Sequence, residues 1–340
     1  MKRLLALLLV LSFLMACEPK EKSSFRLPEI PAAFPIPDSI RRPSAKALAQ
    51  IELGKKMFFD ERLSVSSRFS CASCHIPALA FSGGIDRNVG ENQGRARRNT
   101  PALFNLWHYT SFFHDGGIPR LAEVALAPMD NSHELNLPID TLVRRLWTFD
   151  DYTKAFRKVY KEDASPYTVT RALMWYQLSL ISANSKFDQW LYDKKQELSA
   201  AEKRGWALFN SARTNCSACH AAPLFTDGQF HHIGYENQLE PDTGRARISM
   251  LREDEGKFRT PSLRNLAFTA PYMHDGSFKS LDEVLAHYNR GGADHANKDA
   301  RIRPMQLTSN ELDDLKSFLL TLTDSAFVRH LHYLPSDFRD

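Results

Sequence analysis

Beyond its first sixteen residues the 340-residue chain has no apolar run long enough to cross a bilayer, which takes roughly 20 helical residues, so a polytopic membrane class is excluded. Glycine and proline are modest, at 15 and 18, beside 43% hydrophobic and 25% charged residues, which excludes collagen-like and disordered classes. A surplus of one charge is also missing. Removing Lys2 and Arg3 with the leader described below leaves 42 of the 44 bases against 40 acids, a formal +2, and no basic run carries interleaved aromatics, so nothing argues for nucleic acid as a partner. Cysteine is scarce at five, too few for a disulfide scaffold of this length. Cys17 stands alone, whereas Cys71 with Cys74 and Cys216 with Cys219 form CxxC pairs.

Residues 1–16 combine a basic start with an apolar run from Leu4 to Leu14, too short to span a membrane, and read as a signal peptide. Leu14-Met15-Ala16-Cys17 resembles the lipobox of bacterial lipoproteins, which makes Cys17 the expected lipidated residue and the only expected membrane attachment; an ordinary secretory signal with an incidental cysteine is the alternative. Either reading implies export, to the periplasm. Residues 17–44, rich in Pro, Lys and Ser, are expected as a tether.

Cys71-Ala72-Ser73-Cys74-His75 and Cys216-Ser217-Ala218-Cys219-His220 share the pattern CxxCH. Two thiols one helical turn apart can each form a thioether to a haem vinyl group, and the following histidine then reaches the iron as proximal ligand. Chance supplies one CxxCH roughly 0.003 times in a chain of this composition. A zinc site would need four converging ligands, and a redox CxxC has no use for histidine in the fifth position twice over. Two covalent c-type haems are expected, with His75 and His220 on iron.

An internal repeat surrounds these motifs. Thr100-Pro101-Ala102-Leu103-Phe104-Asn105-Leu106 returns as Thr260-Pro261-Ser262-Leu263-Arg264-Asn265-Leu266, and His114-Asp115-Gly116 as His274-Asp275-Gly276, each 160 positions on. The haem motifs are 145 apart, so the second copy carries about 15 extra residues, within the polar stretch His231 to Gly256. Helical periodicity is expected over Ala45 to Phe59, Tyr167 to Leu191, Ala201 to Phe209 (with Ser199 and Glu202 as a capping box) and Ser309 to Leu322. The expected fold is mostly α, two cytochrome c-like haem domains related by internal duplication with long loops, over residues 45–196 and 197–340. Gly94-Arg95-Ala96-Arg97 and Gly244-Arg245-Ala246-Arg247 form a second repeated signature, whose four arginines are expected to pair with haem propionates unless they are plain surface residues.

These motifs, spread from about Gln50 to Leu322, resemble those of the bacterial dihaem cytochrome c peroxidase family, which includes MauG. The resemblance implies a peroxidatic N-terminal haem fed by a C-terminal one, hydrogen peroxide as substrate, a small cytochrome c or cupredoxin as electron donor, and dimers as a possibility. It matches Glu134 to the distal acid/base, with a solvated loop glutamate as the bland alternative, and Pro128 to the proline of the same loop. It also matches Asn99, Thr269 and Pro271 to oxygen ligands of an interdomain calcium ion.

Three departures qualify the match. No histidine occupies the loop from Ile76 to Asn99, where members resting in a bis-histidine state carry a distal ligand. Tyr288 stands where the electron-transfer haem of other members has methionine, as in the MauG branch, with His287 and Met273 as rival ligands. His114 replaces the tryptophan between the haems, either as a poorer relay, for which Trp107 and Tyr109 could substitute, or as a structural turn residue. The competing functions are therefore a peroxidase, a MauG-like oxidase of a partner protein, and a non-catalytic electron carrier. The missing distal histidine predicts one open iron. A carbon monoxide difference spectrum of the reduced protein should show binding, and no binding at either haem would overturn that expectation.

Overall fold

The computed structural model of the chain describes residues 25–237 and 240–335, so the leader and Cys17 lie outside the described residues. These residues are mostly helical, with one short antiparallel pair, β1 (Phe230–His231) and β2 (Phe258–Arg259). No described helix is long and apolar enough to cross a membrane.

Two helix pairs carry the architecture. In the first, α1 (Ala45–Phe59) packs on α2 (Pro166–Leu178); in the second, α3 (Ala200–Phe209) packs on α5 (Ser309–Leu320), with α4 (Leu281–Arg290) beside α5. Their starts follow from capping chemistry. The Ser44 hydroxyl accepts from the Ala47 N–H, and reciprocal boxes join Ser165 with Thr168, Ser199 with Glu202 and Thr308 with Glu311. Each pair crosses at a glycine. A methyl group on Gly54 would lie 2.0 Å from the Ala172 carbonyl oxygen, and one on Gly205 would lie 2.0 Å from that of Asp314. Around the first crossing Met57, Phe58, Leu173 and Tyr176 form one hydrophobic core; around the second Phe209, Leu315 and Phe318 form another.

The chain's segments cross the expected boundaries. Residues 25–44 do not behave as a tether: Phe25 enters the first core, and Phe34, Ile36 and Ile40 bury with Ile181 and Ala183 in a third cluster. Arg41 fastens the arm by donating to the carbonyls of Ile30, Pro31 and Phe34 at 3.3, 3.2 and 2.7 Å. Four buried apolar side chains, each contributing about 1.5–3 kcal/mol, outweigh what proline-rich composition suggests. At the other end Phe327 and Tyr333, expected with the C-terminal domain, pack in the first core, where Tyr176 donates its hydroxyl to the Tyr333 carbonyl at 2.9 Å. Phe187, expected with the first domain, packs in the second core.

The helix expected over Tyr167 to Leu191 stops at Leu178. From Ile181 to Asn184 the backbone amides donate instead to Tyr333, Asn105 and Asp324 side chains, so tertiary partners replace the helical ones. The stretch His231 to Gly256 begins in β1 and carries a helical turn, Ala246–Ser249.

Alanine for glycine in an exposed helix interior stabilises by about 1 kcal/mol. At the helix crossing Gly205→Ala should instead destabilise by roughly 1–3 kcal/mol through overpacking, read as a lowered urea midpoint with unchanged slope.

Candidate functional site

Both CxxCH turns are short helical segments that orient their histidine in the same way. Cys71–Cys74 is one α-turn, with Ser70 and Ser73 satisfying each other at its start, and Cys216–Ala218 is a tighter turn. His75 Nδ1 lies 2.9 Å from the Phe81 carbonyl oxygen, and His220 Nδ1 lies 2.9 Å from that of Phe225. Each carbonyl fixes the tautomer with hydrogen on Nδ1 and leaves the Nε2 lone pair free for a metal. Burial lowers the His75 pKa to about 4, against the pull of the Phe81 and Pro101 carbonyls, and lowers that of His220 below its ordinary value, against the pull of the Phe225 carbonyl, Asp227 and the Pro261 carbonyl, so both rings are neutral near pH 7. None of the four cysteines is in a disulfide.

The second turn opens on a cavity of about 300 Å3, within the size range of pockets that hold small cofactors. Cys216, Cys219 and His220 line it, with Tyr288 of α4 and Met273 facing them. His287 does not line it: its Nε2 lies 3.0 Å from the Ile233 carbonyl. Burial, and after it the neighbouring Cys216 and Cys219, raises the Tyr288 phenol above its ordinary pKa. Arg259 lines the same cavity, stacked 3.8 Å from the Tyr109 ring centroid, and its Nη1 is buried without a hydrogen-bond partner. A free thiol pair, a neutral imidazole with an available lone pair, apolar walls and an unpaired guanidinium N–H together fit a covalently attached haem with a carboxylate to place.

Near the first turn stands an acid. Glu134 is half-buried and close enough to Cys71 and Cys74 that its charge, after burial itself, helps raise their pKa values to about 12 and 11. Burial raises the Glu134 pKa in turn, partly offset by the Asn131 amide, which donates to its Oε1 at 2.8 Å. Pro128 lies in the helical turn Leu126–Asp130, and its carbonyl accepts the Leu135 N–H at 3.0 Å, which closes the loop that carries Glu134.

The four arginines expected to pair with haem propionates have protein carboxylates or carbonyls within reach. Arg95 forms a two-toothed pair with Asp86 at 2.8 and 2.9 Å, and Arg97 is exposed, 3.7 Å from Asp242. Arg245 donates to the Asp115 and Gly116 carbonyls at 3.0 and 3.1 Å, and Arg247 pairs with the Asp115 carboxylate at 2.6 Å. None of them lines the cavity, whose guanidinium groups are Arg259, Arg264 and Arg301. The second copy of the Gly-Arg-x-Arg signature grips the turn at Asp115 in the first half of the chain. Arg301 was not legible as a site residue, because it reaches the motif only through tertiary contact, donating to the Ala218 carbonyl at 3.3 Å.

His114 lines the cavity with its Nε2 2.9 Å from the Asn99 carbonyl, and burial lowers its pKa to about 4. Asn99, Thr269 and Pro271 line that cavity as well. Beside them Arg98, which sequence reasoning passed over, joins two acids: Asp242 at 2.7 Å through Nε and Nη2, and the buried Asp115 at 2.6 Å through Nη1.

A family model described as di-haem cytochrome c peroxidase matches residues 48–196. The methylamine utilization protein MauG of Methylorubrum extorquens is 36% identical over 313 residues, covering 91% of this chain and 88% of its own. The cytochrome-c peroxidase IdrP1 of Pseudomonas sp. (strain SCT) is 30% identical over 355 residues, covering 95% and 93%. Among solved structures, a MauG-like protein associated with microbial copper homeostasis superposes with a TM-score of 0.78 at 27% identity, over 94% of this chain and 99% of that one.

Burial raises the Asp115 and Asp242 carboxyls, but Arg247 with Arg98, and Arg98 with the Gly244 amide, outweigh it and hold both below the ordinary value near 3.9. A depressed native pKa means that the stabilisation is complete above that value and is lost as pH falls through the native one. Arg98→Gln should therefore cost about 3 kcal/mol near neutrality, and its deficit against the wild type should shrink as unfolding is followed into acid.

Proposed function

The chain belongs to the di-haem cytochrome c peroxidase family, and from that membership we propose that it reduces hydrogen peroxide to water, taking two protons and two electrons per peroxide from solvent and from a small cytochrome c or cupredoxin. Haem held at Cys71, Cys74 and His75, and again at Cys216, Cys219 and His220, supplies the redox-active iron. The protein supplies everything that moves protons and holds geometry.

Glu134 carries the proposal. Breaking the O–O bond heterolytically needs a proton taken from one peroxide oxygen and delivered to the other, so that the second oxygen leaves as water. A half-buried carboxyl whose pKa is raised by burial takes up a proton more readily than a fully solvated one and can still release it, as the step requires. The Asn131 amide on Oε1 fixes one oxygen and leaves the other to exchange the proton. Pro128 shapes the loop and has no proton role. At the other pocket Tyr288, with Met273 as rival, would help hold the iron of an electron-entry haem, and Arg259 and Arg301 would partner its carboxylates.

Oxidation of a partner protein at long range is the weaker reading. His114 stays a neutral imidazole held by the Asn99 carbonyl, and Tyr109, the aromatic group nearest in sequence that also lines the cavity, carries the Arg259 cation 3.8 Å from its ring. A cation on the ring face makes removal of an electron harder, so neither group replaces an indole as a relay.

The finer features of the reading rest on separate supports. The paired helix crossings at Gly54 and Gly205 support duplication of a cytochrome c-like unit. Asn99, Thr269 and Pro271 supply oxygen atoms for a calcium ion: Asn99 donates its amide nitrogen to the Ile85 and Asp86 carbonyls, which turns its Oδ1 the other way. Export with a lipid on Cys17 rests on the leader alone. Metal analysis of the dialysed protein checks the calcium, and the mass of the N-terminal peptide checks the lipid.

The deciding experiment mixes reduced protein with hydrogen peroxide in a stopped-flow instrument. Wild type should reoxidise rapidly, and Glu134→Gln should slow this by about 10²–10⁴-fold at unchanged haem content. Inertness to peroxide with both irons six-coordinate would leave an electron carrier instead.

A further inference from the structure

The two asparagines that the repeat sets 160 residues apart, Asn105 and Asn265, meet on a single buried serine. Asn105 donates Nδ2 to the Ser182 carbonyl at 2.8 Å and accepts the Ser182 N–H on Oδ1 at 2.9 Å. Asn265 donates Nδ2 to Ser182 Oγ at 3.0 Å and accepts the Asp324 N–H at 2.8 Å. Asp324 Oδ2 then accepts the Ser182 hydroxyl at 3.2 Å and the N–H groups of Ala183 and Asn184, both at 3.0 Å. Exposure of the four side chains is 2% for Asn105 and Asp324 and 0% for Ser182 and Asn265, so water does not substitute for any of these bonds.

Each asparagine is anchored by its backbone as well as by its side chain. Asn105 and Asn265 have φ of 53° and 61°, a left-handed turn that points their N–H groups at the Leu180 and Leu322 carbonyls, 2.9 and 3.1 Å away. Those carbonyls follow the last turns of α2 and α5, one from each helix pair. The turns lead straight to the iron-binding histidines: four residues before each asparagine stands Pro101 or Pro261, whose carbonyl faces the ring of His75 or His220. A chain of contacts therefore runs from His75 through Pro101 and Asn105 to Ser182, and on through Asn265 and Pro261 to His220, with its centre at Asn105, Ser182 and Asn265 fully buried.

We propose that the cluster of Asn105, Ser182, Asn265 and Asp324 couples the two haem pockets, so that a change of ligand or oxidation state at one is felt at the other through the paired Thr-Pro loops. The proposal rests on the presence of a haem at each CxxCH. Ser182 and Asp324 line neither CxxCH turn nor the cavity, and they act as positioning residues. The physical basis is the low tolerance of a dry, fully satisfied network for a half-broken state: if one loop moves, leaving a buried donor unpaired is costlier than moving the second loop with it. Close packing gives the cluster no slack to absorb the displacement.

The test is a spectroelectrochemical titration of the holoprotein with and without cyanide, after a haemochrome assay has confirmed two haems per chain. In wild type, cyanide at the open iron should shift the midpoint potential of the other haem, and by linkage cyanide affinity should differ roughly 5-fold or more between the two oxidation states of that haem. Ser182→Ala and Asp324→Asn should each remove about half or more of this coupling, with the absorption spectrum of each haem unchanged. Ser179→Ala deletes an equally buried hydroxyl, bonded to the Tyr176 carbonyl, outside the cluster and should retain it. Full coupling in both cluster variants would assign it to charge acting through space and overturn the proposal, as would its absence in wild type or an equal loss in Ser179→Ala. Should Asp324→Asn fail to fold, Ser182→Ala against Ser179→Ala decides. Fewer than two haems in wild type would defeat the parent reading itself, and the haemochrome assay reports that separately.

Discussion

One hydrogen bond, from a histidine Nδ1 to a backbone carbonyl a few residues along the chain, governs both pockets. A buried imidazole can donate or accept at either nitrogen, and only the tautomer with hydrogen on Nδ1 leaves Nε2 for iron. Phe81 and Phe225 provide the carbonyls, and both sit in left-handed backbone, with φ of 59° and 54°, which turns the chain back toward the CxxCH segment. Phenylalanine adopts that conformation at a cost, and it stays there because its ring is buried: Phe81 against Phe58 and Tyr176, Phe225 against Phe209 and Phe318. The orientation of the metal ligand is thus bound to the packing of each core.

From this common plan the pockets diverge through what faces the histidine. In the first, a loop closed by the Pro128 carbonyl brings a carboxyl with a raised pKa toward the haem-attaching cysteines. In the second, a phenol on α4 faces the histidine across an apolar cavity with a guanidinium at its wall. The first arrangement sets a titratable acid near its cysteines; the second sets a phenol opposite its histidine. Between them the charges at the junction are consumed by one another, with Arg98, Arg247, Asp115 and Asp242 forming a closed network.

Much of this was legible in the chain because it depends on local spacing. CxxCH needs its three reactive residues within one turn, so the pattern is complete in five letters, and the helix starts at Ser44, Ser199 and Thr308 follow from capping residues adjacent in sequence. Glu134 was reachable through the family resemblance and not by spacing. The partners of the arginine signatures were not legible, because a guanidinium is read from sequence only as a charge, and which carboxylate it meets depends on distant chain. The reading of residues 25–44 failed for a related reason: proline spacing marks an irregular backbone, and an irregular backbone can be packed as firmly as a helix when Phe25, Phe34, Ile36 and Ile40 find a surface.

The amino-acid sequence by itself determined the cofactor class, the two CxxCH turns, the sequence repeat and the main helices, since each rests on residues close together in the chain or on backbone hydrogen bonds among near neighbours. Only the tertiary structure decided which histidine nitrogen is free, which arginine beside the cavity keeps a buried Nη1 without a partner, and how the two halves meet. Asn105, Ser182, Asn265 and Asp324 are unremarkable letters whose hydrogen-bonded pairs lie up to 142 residues apart, as between Ser182 and Asp324. They become a single unit because buried polar groups must find partners wherever the fold brings them, and that constraint acts through space without leaving a period in the chain.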